Sequence, residues 1–264
     1  MTDEKQSVLA LSWSGGKDSA LALWVLGREH GIVPRALITT VTDDYDRVSM
    51  HGVRRSLLAL QAGAVGLPLV EIEIPVGCTN DAYEQRMTDA LASEPLRSVE
   101  AVAFGDLFLE DVRSYREGRL ATAGKRGCFP LWHRDTTTLA RQFIDSGFEA
   151  IIVCLDPAKL DRSFAGRKFD RRLLADLPAG VDPCGENGEF HTFVHAGPIL
   201  AAPIDVQVGE TVERDGFVFT DLTAAGPQLH RRRQADQVRA QPAMSSDRET
   251  SLNATARASG RLGT

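Results

Sequence analysis

The chain has 264 residues, 43% of them hydrophobic and 25% charged, with a formal net charge of −6. That balance fits a soluble globular protein of one large domain or two smaller ones, and no stretch approaches the ~20 uncharged apolar residues of a membrane span. Leu222–Thr264 holds seven arginines and three acidic residues, which leaves the rest of the chain at −10; an acidic body is a poor match for nucleic acid, which is not expected as a partner.

The start, MTDEKQSVLA, is short, acidic and leads directly into an apolar run. It reads as neither a secretory signal nor a transit peptide. The four cysteines, Cys78, Cys128, Cys154 and Cys184, form no CxxC pair and lie more than 20 residues apart. This argues against a zinc site and a disulfide framework, and for the cytoplasm. Only five of the 30 basic residues are lysines, a bias that points to a GC-rich, bacterial genome.

Strand-like runs follow at Val8–Trp13, Ala36–Thr40, Leu69–Ile74, Ala101–Phe104 and Ala150–Leu155. Between them lie helical patterns. Lys17–Gly27 is apolar nearly all round. Gly52–Val65 sets Val53, Leu57, Leu60 and Ala64 on one face and turns Arg54, Arg55 and Gln61 away. Asp81–Leu96 and Thr136–Ser146 read as further helices. The alternation predicts an α/β fold with a doubly wound, mostly parallel, Rossmann-like sheet. After Cys128 the texture changes. Asp205–Glu213 and Phe217–Asp221 alternate apolar and polar residues around Asp215-Gly216, a β-hairpin signal. The expected organisation is a nucleotide domain over residues 1–127, a smaller α+β domain over 128–221, and a disordered tail over 222–264.

The first informative motif is Ser14-Gly15-Gly16-Lys17-Asp18-Ser19, set between the first strand and the first helix. A helix start leaves backbone N–H groups without partners, which favours an anion there. Gly15 and Gly16 let a phosphate approach the backbone. Ser14 and Ser19 add hydroxyls, and Lys17 adds a point charge. Asp18 has the wrong sign for phosphate and suits Mg²⁺ or loop orientation. The motif is not a Walker A loop, since Leu11 and Asp18 occupy positions that need Gly and Ser or Thr. It resembles the SGGxDS signature of the PP-loop, N-type ATP pyrophosphatases, which implies an adenine nucleotide alpha hydrolase-like fold and ATP cleavage between the α and β phosphates.

The second motif is Asp182–Val194, DPCGENGEFHTFV. Together with SGGKDS it resembles the diphthine–ammonia ligase family. Met50-His51, Gly105-Asp106, Pro130-Leu131-Trp132, and Gly166-Arg167 with Asp170 match in order between the two. The resemblance covers about residues 7–200. It implies an ATP-dependent, AMP-forming carbon–nitrogen ligase: a carboxylate attacks the α-phosphorus, and ammonia displaces AMP from the acyl-adenylate. It implies ATP and Mg²⁺ as cofactors, and as partners a small-molecule or protein-borne carboxylate and ammonia. The oligomeric state stays open, a homodimer included.

Read from its own residues, the second motif exposes Glu186 at a glycine-bracketed turn, where it can hold Mg²⁺ or take a proton from ammonium. The strand after it puts His191, Phe193 and His195 on one face. Its ~13 Å span keeps the two histidines from sharing a metal. His191 and Thr192 are placed to contact substrate or phosphate. Asp106 ends a strand, where open sheets place ligands, and His51 opens a helix near the expected nucleotide. Trp132 is expected between the two domains, Cys154 in the core, and Cys184 exposed. Lys17, Glu186 and His191 are thus the catalytic candidates, with Ser14–Ser19, His51 and Asp106 around the nucleotide and Asp18 on the metal. Two other readings remain: a nucleotide-binding protein or ATP hydrolase without ligation, and a PP-loop tRNA-modifying enzyme. The acidic body and the cysteine spacing disfavour the tRNA-modifying enzyme.

Overall fold

Apolar runs bounded by glycine and polar turns build the centre of the molecule. The computed structural model describes residues 8–42, 47–48, 52–75 and 77–225, which belong to one compact unit. His51, Asp43 and Asp44 lie outside the described residues, as does the tail beyond Ala225.

Five parallel strands form the main sheet: β1 (Leu9–Ser12), β2 (Ala36–Thr42), β4 (Leu69–Ile74), β5 (Ala101–Ala103) and β6 (Arg126–Cys128), in the spatial order β4-β2-β1-β5-β6. A two-residue strand, β3 (Arg47–Val48), pairs antiparallel with the end of β2. Successive residues serve opposite faces. Leu9, Leu11, Ala101 and Ala103 join one core, while Ala10, Val102 and Phe104 join the other. A sheet covered on both faces needs such unbroken apolar strands.

Helices α1 (Lys17–His30) and α2 (Arg55–Val65) contribute to the first core; Leu91 of α3 (Asn80–Ala92) and Leu120 of α4 (Glu110–Thr122) join the second. The first core continues without a break into α5 (Thr136–Asp145) through Leu139 and Phe143, and into the second sheet through Ile152, Phe190 and Phe193. That sheet is antiparallel, in the order β8-β7-β10-β9: β7 (Glu149–Leu155), β8 (Phe190–Ala196), β9 (Val206–Arg214) and β10 (Phe217–Ala224), with the short α6 (Arg171–Asp176) between β7 and β8. Asp215 and Gly216 both take positive φ in the β9–β10 turn, as a two-residue hairpin of type I′ requires. Among the described residues no helix is long and apolar enough to cross a membrane.

The structure corrects four sequence expectations. The run at Ala150–Leu155 is the second strand of the antiparallel sheet. The fifth parallel strand is Arg126–Cys128, which carries no apolar run because it is short and lies at the edge. Helix α4 buries only Leu120, so it has no apolar stripe to detect; Arg113 and Arg116 lay their guanidiniums instead on Phe104, Phe129 and Trp132, at 4.3–4.8 Å. Strand β10 runs to Ala224, so residues 222–224 belong to it and not to the tail.

The order in which strands are added reverses about β1. Strands β2 and β4 build outward on one side and β5 and β6 on the other, so the crevice outside the carboxyl ends of β1 and β5 is the switch point where open sheets bind ligands. Gly105 follows β5 into this crevice. A Cβ there would lie 2.7 Å from the Asp18 carbonyl carbon, so only glycine lets β5 and the head of α1 come this close. We predict that Gly105→Ala lowers stability by ~1–3 kcal/mol. Gly118→Ala, in open space within α4, should raise it by ~0.5–1 kcal/mol. Thermal unfolding of the two variants checks both signs.

Candidate active site at the switch point of the sheet

The Ser14–Ser19 loop leaves β1 and is fastened on three sides. Gly15 has φ +76°, and a Cβ on it would strike Leu58 at 2.7 Å and Gln61 at 2.8 Å. Its carbonyl accepts from Val194 N–H at 2.9 Å and from Gln61 Nε2 at 3.0 Å. A Cβ on Gly16 would lie 3.1 Å from the Thr192 carbonyl oxygen. Lys17 N–H donates to Thr192 Oγ1 at 3.0 Å. The loop thus lies along the open edge of β8, where protein contacts require glycine at position 15 and leave little room for a side chain at position 16.

This changes two expectations. The amides at the head of α1 are not all bare: Lys17 N–H is taken by Thr192, and Gly16 N–H makes a long 3.3 Å bond to Ser14 Oγ. Nor does the Lys17 ammonium reach out as an isolated charge. It is 4% exposed and donates to both Asp18 carboxylate oxygens, at 2.9 and 2.8 Å, and to the Cys184 carbonyl. It also sits over the rings of Phe190 and Phe169, at 5.5 and 5.9 Å. Burial pulls this ammonium down, but Asp18, with Glu186 beyond it, more than offsets the pull and holds it charged. An ammonium has three donors; here they join the first motif to the second.

The second motif folds back on itself. Asp182 Oδ1 accepts from Cys184 N–H at 2.7 Å, and Glu189 Oε1 accepts from Asp182 N–H at 3.0 Å and Asn187 Nδ2 at 3.2 Å. The turn delivers Glu186 to the crevice, where Oε1 accepts from Leu107 N–H at 2.7 Å. Burial pushes the Glu186 carboxyl up to about 7; Leu107 N–H opposes that, and Asp18 and Asp106 add to it. Burial also raises Asp106, against the pull of Arg116. Arg116 Nε stands 2.9 Å from Asp106 Oδ2, yet neither atom makes an aligned hydrogen bond. Burial, with Lys17 nearby, drives His191 down to about 4, so it is neutral at physiological pH.

The structure therefore brings Ser14–Ser19, Asp106, Glu186, His191 and Thr192 to one end of the sheet. His51 falls outside the described residues. Cys184, expected to be exposed, is 3% exposed, with Sγ on the Thr136 carbonyl and its thiol pushed up by burial, which disfavours thiolate chemistry. Cys154 is buried as expected. Trp132 lies against Phe129 and His133, at 5.6 and 5.0 Å between centroids. Sequence reading missed Gln61. The sequence pattern faces it away from a Val53–Leu57–Leu60–Ala64 stripe, but the buried face of α2 is Leu57, Leu58, Gln61 and Ala62, and Leu60 is 49% exposed. The adjacent Leu57-Leu58 pair, a turn before Gln61-Ala62, is the signal that could have shown it.

Residues 6–126 match the diphthamide synthase N-terminal domain model, and residues 135–222 match the diphthamide synthase C-terminal domain model. The chain belongs to the diphthamide synthase family. It is 29% identical over 230 residues to the diphthine–ammonia ligase of Danio rerio, covering 79% of this chain and 90% of that one. It is 26% identical over 230 residues to the protein of that name from Homo sapiens, covering 79% and 86%. With the Schizosaccharomyces pombe protein of that name it shares 26% identity over 218 residues, covering 76% of this chain but 36% of the longer relative. The two family models divide the chain between its two informative motifs, so the contact of Lys17 with Cys184 and Thr192 joins one matched half of this diphthamide synthase family member to the other.

Glu186 should mark this family member's stability with a pH signature. A carboxyl whose folded pKa is raised, here from 4.5 to about 7, favours folding only while protonated. Its contribution is complete below the unfolded value and is lost as pH rises through the folded one. Glu186→Gln keeps an acceptor for Leu107 N–H without burying charge. Because the side chain is only half-buried, we expect the variant to be more stable than wild type by on the order of 1 kcal/mol above about pH 7. Denaturant titrations should show that gap closing toward about pH 4.

Proposed function

We propose that the protein is an ATP-dependent amide ligase that activates a carboxylate as an acyl-adenylate and passes it to ammonia. One observation carries the reading: the SGGKDS loop and a carboxyl poised at about 7, Glu186, meet at the switch point of a parallel sheet. The curated relatives, named diphthine–ammonia ligases, support the reaction class. The acceptor is a carboxylate, carried by a small molecule or by a protein.

In this reading the Gly15–Gly16 backbone and the Ser14 and Ser19 hydroxyls hold the pyrophosphate half of ATP. Lys17 acts from beneath, fixing Asp18 and the second motif while adding positive charge below the loop. Positioning and charge stabilisation are most of what phosphoryl and nucleotidyl transfer ask of a protein. The donor set suits a hard cation. Among the described residues no three metal-ligating side chains form a ready cage, but Mg²⁺ needs only one or two carboxylates beside phosphate oxygens and water. Asp106, which burial and Asp18 raise, and Asp18 are the residues that would hold it; bound there, Mg²⁺ would neutralise charge on the departing pyrophosphate.

In the nucleotide step a carboxylate oxygen of the acceptor bonds to the α-phosphorus as the bond from that phosphorus to the α,β-bridging oxygen breaks, and pyrophosphate leaves with the electron pair. Ammonia then adds to the acyl carbon, the bond from that carbon to the AMP oxygen breaks with AMP taking the electron pair, and the nitrogen gives up one further proton to the AMP phosphate or to solvent. Ammonia arrives mostly as ammonium, which Asp18, Asp106 and Glu186 attract. Glu186 takes its proton and leaves the nucleophile free. A base with pKa near the working pH suits this transfer. Neutral His191 can donate or accept a hydrogen bond at the acyl group without adding charge. Four free cysteines and the use of ATP support a cytoplasmic setting.

The test is a screen of candidate carboxylates with ATP, Mg²⁺ and ammonium. AMP and pyrophosphate should appear only when acceptor and ammonium are both present. ADP as product, or turnover without acceptor, would sink the ligase reading. With the acceptor found, Glu186→Gln should bind ATP within about threefold of wild type and lose ~10²-fold or more in kcat/KM for ammonium. The wild-type rate should climb as pH rises through about 7, where the base loses its proton, and the variant's profile should lack that rise.

A further inference from the structure

The geometry points to Gln61 as the positioning residue that sets the Gly15–Gly16 peptide plane, and so aims the Gly16 N–H at the bound phosphates. This rests on the reading of the Ser14–Ser19 loop as the phosphate seat, and adds to it a residue outside both signature motifs. Gln61 is 0% exposed, in the second turn of α2. Its carboxamide makes three hydrogen bonds: Nε2 donates to Gly15 O at 3.0 Å and to Val194 O at 2.6 Å, and Oε1 accepts from Trp13 Nε1 at 2.8 Å. The orientation of the amide is not ambiguous. An indole N–H can only donate and a carbonyl can only accept, so Oε1 must face Trp13 and Nε2 must face the two carbonyls.

The consequence lies on the far side of the peptide. Gly15 O receives two donors, Gln61 Nε2 and Val194 N–H, which fill the two lone pairs of a carbonyl. In a planar trans peptide the C=O and the following N–H point in opposite directions. Holding Gly15 O against α2 and β8 therefore turns Gly16 N–H the other way, toward the Ser14 hydroxyl at 3.3 Å, which in turn lies 3.3 Å from Ser19 Oγ. Those are the groups assigned to phosphate. Without the lock the plane can flip, because glycine at positions 15 and 16 allows either orientation. A flipped peptide would present Gly15 O, an acceptor, to an anion. Trp13 orients Gln61, and Gln61 orients the loop.

The experiment measures Kd for ATP with Mg²⁺, and for pyrophosphate, by calorimetry on the full chain. The variants are Gln61→Met, Gln61→Glu and Trp13→Phe, with circular dichroism as the check on folding. Gln61→Met keeps the volume and removes the donors, and should weaken ATP at least about tenfold at every pH, the cost of a lost preorganised contact. Gln61→Glu sets a carboxylate against two carbonyls. Its affinity relative to wild type should fall furthest at about pH 8 and recover toward about pH 5, as the introduced carboxyl is protonated and regains one donor. Trp13→Phe frees the amide to turn and should give a smaller loss, about two- to fivefold. A Gln61 that merely packs would lower the melting temperature while leaving Kd of the folded protein, and its pH dependence, where they are. Folded Gln61 variants with Kd within twofold of wild type would overturn the lock. If neither Gln61 variant folds, an unchanged Kd in Trp13→Phe does the same. A wild type that binds neither ATP nor pyrophosphate would instead remove the phosphate-loop reading itself.

Discussion

The two hydrogen bonds at the Gly15 carbonyl hold this structure together at its working end. One comes from the backbone of β8 and one from a side chain of α2. An edge strand left open carries a row of unpaired amides and carbonyls. Here the loop after β1 fills part of that row, so the parallel sheet and the antiparallel sheet meet at the point where the ligand is expected. Thr192 adds a side-chain acceptor for Lys17 N–H and a backbone wall against Gly16. Any shift of β8 therefore moves the loop, and any shift of the loop moves β8.

Charge in the crevice follows from burial. Beyond burial, Asp18 raises Asp106, and Asp18 and Asp106 both raise Glu186, while Lys17, the cation placed among them, is spent on Asp18 and Cys184. A nucleotide that brings several more negative charges to such a site is unfavourable unless cations come with it, and its metal ion is the obvious carrier. The same surplus of negative charge would suit the proposed second substrate. It draws a cation such as ammonium, and it keeps one carboxyl near the midpoint of its titration. In the proposed reaction, one arrangement of acids would thus discourage bare ATP, favour its metal complex and prepare the base.

Much of this was legible in the sequence, and the exceptions have physical causes. Ala36–Thr40 showed itself as a largely apolar run because β2 is central and buried from Ala36 to Thr39, and edge strand Leu69–Ile74 showed itself by alternation, with Ile72 and Ile74 buried and Glu73 exposed. The hairpin showed itself because Asp215-Gly216 is a turn with one good backbone solution. Strand β6 and helix α4 were hidden: the first is three residues at an edge, and the second packs through arginine stems on aromatic faces, which no apolar periodicity reports. The two motifs were found, but their mutual contact was not, since 175 positions separate Lys17 from Thr192. Gln61 escaped because a polar residue on an amphipathic helix is normally at the surface. Only its three partners, Trp13 and Gly15 on the loop after β1 and Val194 on β8, explain why it is inside.

The glycines show how far a motif can be read from its residue types alone. A Gly-Gly pair before a helix suggests room for phosphate, and that inference used only the ligand's side of the loop. On the protein's side, a methyl group at Gly15 meets Leu58 and Gln61, and one at Gly16 meets the Thr192 carbonyl. Replacing either glycine would disturb packing before any phosphate arrived, so lost activity in such a variant would say little about binding. The Gln61 amide differs. It can be altered at constant volume, away from the ligand, and what it controls is the direction of one peptide plane. The phosphate seat is therefore better probed from behind, where geometry and packing can be separated, than at the residues that name it.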